Sequence, residues 1–272
     1  MSRSCRVCAL CLVTAAALAL VGCSSGTGNE AGPTSAAPTS AAPTTPEPEP
    51  LTGELVVFAA ASLQDTFTQI GDLLRADNPD LTVTFNFGSS GTLSTQLVEG
   101  APADVFASAN ATTMQGAAAV VNESALFTHN SLVIVVPEGN PAGVTSLADF
   151  ANADLKIALC DPVAPCGAAA EKVFTTAGLT AAPDTLGQDV KATLNLVTAG
   201  EVDAALVYKT DAIAAGDAVE TVTFPEAAGV VNDYPIATLK ESANLDAAEA
   251  FVALVLSPEG QKILTDAGFD GT

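Results

Sequence analysis

The chain has 272 residues, of which 49% are hydrophobic and 5% aromatic, and this suffices for one or two cores of a globular α/β protein. Its formal net charge of −22 argues against a nucleic-acid partner, because proteins that bind nucleic acid present basic surfaces. An anionic ligand would have to be attracted by local groups, against the negative field of the whole surface.

Residues 1–22 have the pattern of an export signal. Two arginines precede an apolar run at residues 7–21, which is short for a membrane span. The run ends in LVGC at residues 20–23, which resembles the lipobox of bacterial lipoproteins. That resemblance implies cleavage before Cys23 and a lipid on its sulfur, whereas the alternatives are an ordinary signal peptide and an uncleaved anchor. We predict a protein that is lipid-anchored on the extracytoplasmic side of the cell membrane.

Residues 23–50 are predicted to be a disordered tether that begins at the lipidated cysteine. PTSAA occurs at residues 33–37 and again at 38–42, and PEPEP ends the segment. Such a sequence has no apolar periodicity to bury and favours polyproline II conformations. We expect the tether to hold the following domain away from the membrane and to carry no chemistry.

The cysteines predict one disulfide bond and no metal site. Three of them, at residues 5–11, have the spacing of metal ligands, but they lie in the predicted signal peptide. Cys160 and Cys166 flank a loop with two prolines, and outside the cytoplasm such a pair is expected to form a disulfide, with two free thiols as the alternative. Since His129 is the single histidine of the chain, no cluster of His and Cys metal ligands is expected.

From residue 51 onward, strand and helix patterns alternate. Apolar runs or alternating patterns predict strands at 55–60, 81–87, 104–107, 132–136, 155–159, 204–208, 219–224 and 230–239. Helical spacing and glycine stops predict helices at 63–74, 93–98, 167–177, 190–199, 246–256 and 259–267. This alternation favours two α/β lobes, each a mostly parallel sheet flanked by helices, with a small-molecule site in the cleft between them.

Two serines follow predicted strands and open predicted helices: Ser62 and Ser90. A helix N-terminus presents unpaired N–H groups and a partial positive charge, and a serine there adds a hydroxyl donor. Two such ends that converge would bind an oxyanion without any Lys or Arg. Taken singly, a serine at this position usually only caps its helix. The neighbouring Ser89 leaves open which serine of the pair donates, and we favour Ser90.

Three residues of the second lobe have a comparable position. Cys166 and Val190 lie at helix starts, where their backbone N–H groups can face the first lobe, and Tyr208 ends a strand of small apolar residues. Each of these features is also ordinary in a capped helix or a buried tyrosine. His129 has no catalytic partner in the pattern and no nucleophile motif is present, so we predict a protein that is not an enzyme.

Several motifs in chain order resemble the molybdate-binding proteins of bacterial ABC-type importers. They are VFAAASL at 57–63, GSSGTL at 88–93, GAPADVF at 100–106, NSLVIV at 130–135, DV at 189–190, VYKTDA at 207–212, SPEG at 257–260 and AGF at 267–269. The resemblance covers residues 52–272. It implies a type II periplasmic binding protein with two lobes that close on the ligand. The lobes would comprise residues 51–131 with 236–272, and residues 132–235.

The resemblance further implies how the ligand is held. Ser62 and Ser90 would donate hydroxyl and backbone hydrogen bonds, Cys166 and Val190 their backbone N–H groups, and Tyr208 its hydroxyl. The molybdenum would be bound as an oxyanion by these residues, with no direct His or Cys ligand.

By the same resemblance, the protein captures molybdate, and tungstate as well, and delivers it to the permease of an ABC transporter. It would act as a monomer without a cofactor, in contact with the membrane through its lipid anchor only. A binding protein for sulfate or another tetrahedral oxyanion is the alternative.

Overall fold

The computed structural model of the chain describes residues 50–272. The predicted signal peptide, the lipidated Cys23 and residues 24–49 of the predicted tether lie outside the described residues. The described part has nine strands: β1 (Gly53–Ala60), β2 (Leu81–Gly88), β3 (Val105–Ala107), β4 (Ala125–Pro137), β5 (Ile157–Cys160), β6 (Thr185–Gly187), β7 (Ala204–Tyr208), β8 (Val219–Val222) and β9 (Val231–Thr238). It has eight α-helices: α1 (Gln64–Asp77), α2 (Ser90–Val98), α3 (Ala111–Gly116), α4 (Pro165–Ala177), α5 (Val190–Thr198), α6 (Lys209–Ala215), α7 (Leu245–Leu256) and α8 (Pro258–Asp266).

Two sheets share the long strand β4, and each forms the centre of one lobe. In the first lobe the strand order is β2-β1-β3-β9-β4, with β1 parallel to β2 and β3, and β9 antiparallel to both of its neighbours. In the second lobe β4 pairs antiparallel with β7 and β8, and β5 runs parallel to β7 and β6. The predicted two-lobed α/β fold is confirmed, with antiparallel pairs where the lobes join. The predicted residue boundaries of the lobes stay a prediction.

Aromatic packing fixes α1 against the first sheet. Its apolar residues recur with helical spacing, so that Phe67, Ile70 and Leu74 are buried on one face. The ring of Phe67 lies 5.8 Å from that of Phe127 on β4 and 5.4 Å from that of Phe251 on α7. Such aromatic contacts bury much apolar surface and have defined geometry. They hold the start of α1, and the turn before it, in a fixed position.

Strand β7 of the second lobe is a continuous run of mostly apolar residues in the sequence. All five of its residues are buried, because α4, α5 and α6 pack around the sheet. Beside it, a disulfide bond joins Cys160 at the end of β5 to Cys166 in the first turn of α4, with 5.8 Å between the two Cα atoms. The bond ties the start of this helix to the neighbouring strand.

Strand β4 passes from one lobe to the other. Residues 125–131 pair with β9 in the first sheet, and residues 132–137 pair with β7 and β8 in the second. The sequence predicted only residues 132–136 as strand. The preceding segment contains the polar residues Thr128, His129 and Asn130, so its sequence lacks the apolar pattern of a strand. It is a strand because it pairs with β9, which lies about one hundred residues later in the chain. At this joint Asn130 lies directly opposite Asn232.

An ion-pair cluster also joins the lobes. The ammonium of Lys191 on α5 lies 3.0 Å from a carboxylate oxygen of Asp65 on α1 and 3.3 Å from one of Asp211 on α6. The Asp211 side chain is fully buried and accepts no well-aligned hydrogen bond from the described residues. Burial raises the pKa of Asp211 from 3.8 to about 6, although the positive charge of Lys191 acts in the opposite direction.

No helix between residues 50 and 272 is long and apolar enough to cross a membrane.

Removal of the disulfide is expected to destabilise the fold. Replacement of Cys160 and Cys166 by alanine should lower the free energy of unfolding by about 2 kcal/mol, because the small ring no longer restricts the unfolded chain. Urea denaturation followed by circular dichroism measures this difference. As a control, wild-type protein with a thiol reductant should approach the stability of the double variant. Equal stability of the oxidised wild type and the variant would contradict the expectation.

The buried Asp211 predicts a specific pH dependence. Its pKa is higher in the folded than in the unfolded state, so the folded state binds the extra proton and wild-type stability falls as the pH rises from about 4 to about 6. Asp211→Asn lacks this titration. Relative to the variant, the wild type should lose about 2 kcal/mol between pH 4 and pH 7, which is most of the free-energy equivalent of the raised pKa. A pH-independent difference in urea unfolding would refute the assignment.

Candidate functional site

A cavity lies in the cleft between the lobes, where several helices begin. The cavity is narrow: the centre of a water-sized molecule can occupy a volume of about 10 Å³, within about 200 Å³ of space between the atoms that includes open solvent. The structure brings all five residues predicted for the site to its lining: Ser62, Ser90, Cys166, Val190 and Tyr208. Each of them is buried. Their roles toward a ligand remain predictions.

Parallel pairing of β1 and β2 brings the first two helix starts together. Ala60 at the end of β1 lies beside Gly88 at the end of β2, so the segments that follow emerge at the same sheet edge. Ser62 lies in a short 3₁₀ helix that leads into α1, and Ser90 is the first residue of α2. Their unpaired backbone N–H groups therefore lie at one side of the cavity.

The second lobe repeats this arrangement. Parallel pairing places Cys160 of β5 beside Gly187 of β6. Helix α4 then begins with Cys166 in its first turn, and α5 begins at Val190. The carboxylate of Asp189 caps α5 by accepting a hydrogen bond of 2.9 Å from the N–H of Ala192.

The adjacent serines differ in their contacts. The hydroxyl oxygen of Ser90 accepts a hydrogen bond of 3.0 Å from the N–H of Ala109. The hydroxyl oxygen of Ser89, which also lines the cavity, is buried and has no hydrogen-bond partner among the described residues. Both hydroxyls therefore retain a hydrogen to donate. Ser90 stays the predicted donor, with Ser89 beside it.

Two buried tyrosines lie behind and beside the cavity. The hydroxyl of Tyr208 accepts a hydrogen bond of 2.9 Å from the side-chain amide of Asn232. The hydroxyl of Tyr234 lies 3.0 Å from that of Ser62. Burial raises the pKa of both phenols above the ordinary value of 10.0, so both stay neutral and keep their hydrogens at physiological pH.

Sequence reasoning did not select Asn130, Asn232 or Tyr234. Their importance lies in contacts across 24 to 172 residues of chain, which no local pattern records.

The lobes touch at the edge of this cavity. A Cβ atom on Gly91, in the first turn of α2, would collide with the carbonyl oxygen of Val163 in the loop that the disulfide closes. The absence of a side chain at Gly91 thus permits direct approach of the two main chains.

Apart from the carboxylate of Asp189, which caps α5, the cavity is lined by neutral groups. Lys191 follows Val190 and forms ion pairs with Asp65 and Asp211. Burial lowers the pKa of Lys191, but the two carboxylates raise it by more, so the net pKa is raised. No group of three or more His, Cys, Asp or Glu side chains that could hold a metal ion occurs in residues 50–272. His129 lies at the joint, where its ring nitrogen is 2.9 Å from a carboxylate oxygen of Asp233. The arrangement suits an anion that is held by hydrogen bonds.

Solved structures share this fold. The periplasmic molybdate-binding protein of Azotobacter vinelandii superposes with a TM-score of 0.68 at 22% identity, over 79% of this chain and 98% of that one. The sulfate-binding protein SubI of Mycobacterium tuberculosis superposes with a TM-score of 0.69 at 18% identity, over 80% of this chain and 87% of that one. At these identities the likeness shows the fold alone.

Sequence comparison is more specific. The molybdate-binding protein ModA of Mycobacterium tuberculosis H37Rv is 43% identical over 218 residues, which cover 79% of this chain and 84% of that protein. Residues 55–270 match the bacterial extracellular solute-binding protein family. The chain therefore belongs to the bacterial extracellular solute-binding proteins, in the group that contains ModA.

Proposed function

We propose that the protein captures molybdate outside the cytoplasm and delivers it to the permease of an ABC importer. One observation carries the proposal: four helix starts and one tyrosine bring neutral hydrogen-bond donors to a single interlobe cavity. The chain that forms this cavity is 43% identical to a ModA protein. The donors are the hydroxyls of Ser62, Ser90 and Tyr208 and the backbone N–H groups of Cys166 and Val190. Tungstate, which has the same shape and charge as molybdate, is a second ligand.

Physical chemistry accounts for binding without a cationic side chain. Hydrogen bonds to an ionised acceptor are roughly twice as strong as those between neutral groups, and they strengthen further away from water. Helix N-termini from both lobes add a favourable field for a dianion. Because donors come from both lobes, closure of the cleft completes the coordination, and opening it at the permease releases the ion.

The proposed cell-surface arrangement follows from residues 1–50. Cleavage before Cys23 and lipidation of its sulfur would anchor a monomer to the extracytoplasmic face, and the tether would let the lobes reach the permease. The protein would need no cofactor and perform no catalysis.

Isothermal titration calorimetry of residues 50–272 tests the ligand. We expect submicromolar binding of molybdate and tungstate, and no heat with sulfate or phosphate. Tight binding of sulfate would favour the alternative of a general tetrahedral oxyanion receptor. Absence of binding to all four anions would overturn the proposed function.

Ser62→Ala should weaken molybdate binding by about tenfold or more, because a hydrogen bond to a charged ligand is lost. The matched control is Ser94→Ala: Ser94 is as buried as Ser62, at 7% exposure, but its hydroxyl donates to the carbonyl of Thr113. Calorimetry should show wild-type affinity for the control. Wild-type affinity in Ser62→Ala would remove Ser62 from the site.

A further inference from the structure

Lys191 is the cation of a three-residue cluster that spans the cleft. Its ammonium lies 3.3 Å from a carboxylate oxygen of Asp211. Lys191 is on α5 and Asp211 on α6, and both helices follow strands of the second sheet, so this contact lies within one lobe. The other partner of the ammonium, at 3.0 Å, is Asp65 in the first turn of α1, which packs against the first sheet. One ammonium therefore connects carboxylates of the two lobes.

The two contacts of Lys191 differ in their exposure to water. The side chain of Asp211 is fully buried, whereas that of Asp65 is 57% exposed. Separation of a buried carboxylate from its cation costs much more than separation of a solvated pair. When the lobes move apart, we therefore expect Lys191 to stay with Asp211 and to release Asp65 to water. The pair of Lys191 and Asp65 is the part of the cluster that can open and close.

This interlobe ion pair lies next to two groups predicted to hold the anion. Asp65 is three residues after Ser62, and Lys191 directly follows Val190. The 3₁₀ turn that contains Ser62 is also in contact with α5, which places the starts of α1 and α5 side by side. Formation of the ion pair therefore draws together two helix starts that line the same cavity.

We propose that Asp65 and Lys191 form a latch between the lobes, which is made when the cleft closes on the anion and broken when the cleft opens. The proposal rests on the proposed function. Because the latch stabilises the closed form, its free energy adds to the affinity for the ligand. A carboxylate this close to the site would otherwise be unfavourable, since it repels a dianion. The latch thus gives Asp65 a favourable role in a site for anions.

Asp65→Asn distinguishes a latch from simple electrostatics, because the two predict opposite signs. Removal of a negative charge near the cavity should by itself strengthen the binding of a dianion. Removal of the latch should weaken it. We expect the molybdate Kd of Asp65→Asn to rise about threefold, as for an ion pair with one exposed partner. Asp65→Glu keeps the carboxylate and should bind more tightly than Asp65→Asn.

The matched control is Asp72→Asn. Asp72 lies on the same helix, its side chain is also 57% exposed, and it pairs with Arg75 within α1 and not across the cleft. The control variant removes the same charge and leaves the contact between the lobes in place. We expect its molybdate Kd to equal that of the wild type or to be slightly lower.

Ionic strength supplies a second test of the latch. Salt screens an exposed ion pair, so the difference in molybdate Kd between the wild type and Asp65→Asn should shrink as the salt concentration rises. If Asp65 only repelled the anion, the wild type would be the weaker binder at low salt, and added salt would bring its affinity up to that of the variant. The two accounts therefore differ in sign at low salt.

Titration calorimetry with molybdate measures these affinities after thermal unfolding has shown that each variant is folded. If Asp65→Asn does not fold, Asp65→Ser, with a residue that suits a first helical turn, replaces it. Unchanged or tighter binding in the Asp65 variant would overturn the latch, and so would an equal loss in Asp72→Asn. Both results would leave the proposed function intact, because the wild type binds molybdate in the same series. A wild type that ignores molybdate would overturn both proposals.

Discussion

Strands β4 and β9 run antiparallel through the joint between the lobes, and the groups around the cavity are placed relative to this pair. Each lobe could form its own sheet without fixing how the two meet. Because β4 belongs to both sheets, its change of partner at residues 131 and 132 sets the line along which the lobes face each other. The helix starts that follow β1, β2, β5 and β6 are aimed at this line.

The electrostatic design follows from the same arrangement. In a chain with a net charge of −22, a lysine or arginine in the cleft would be the simplest attraction for an anion. Instead, Lys191 forms ion pairs with Asp65 and Asp211. The cavity is lined by helix starts and hydroxyls, and hydrogen bonds from such groups depend on direction as well as on distance.

Local signals predicted the parts of the site that lie at element boundaries. Val190 and Tyr208 were identifiable because a capping aspartate and the end of an apolar run mark them. Helix α2 begins at Ser90, three residues before the predicted start, since small polar residues in its first turn weaken the apolar pattern. The resemblance to the molybdate-binding family is confirmed by the relatives.

Non-local contacts account for what the sequence did not reveal. The pairing of Asn130 with Asn232 joins residues about one hundred positions apart, and nothing near either residue indicates a partner. Burial of Asp211 is equally hidden, because an aspartate in the first turn of a helix is usually solvated. Such features depend on how the lobes pack, which periodicity does not encode.

The contact between Gly91 and Val163 has a consequence for ligand size. Side chains that meet across a cleft can change rotamer and let the gap shrink, but two main chains in contact cannot. The closed cleft therefore cannot become narrower than this contact between main chains allows. A tetrahedral ion with shorter metal–oxygen or sulfur–oxygen bonds would reach the donors of one lobe and leave those of the other beyond hydrogen-bond distance. The loop braced by the disulfide would thus set the smallest width of the closed cleft.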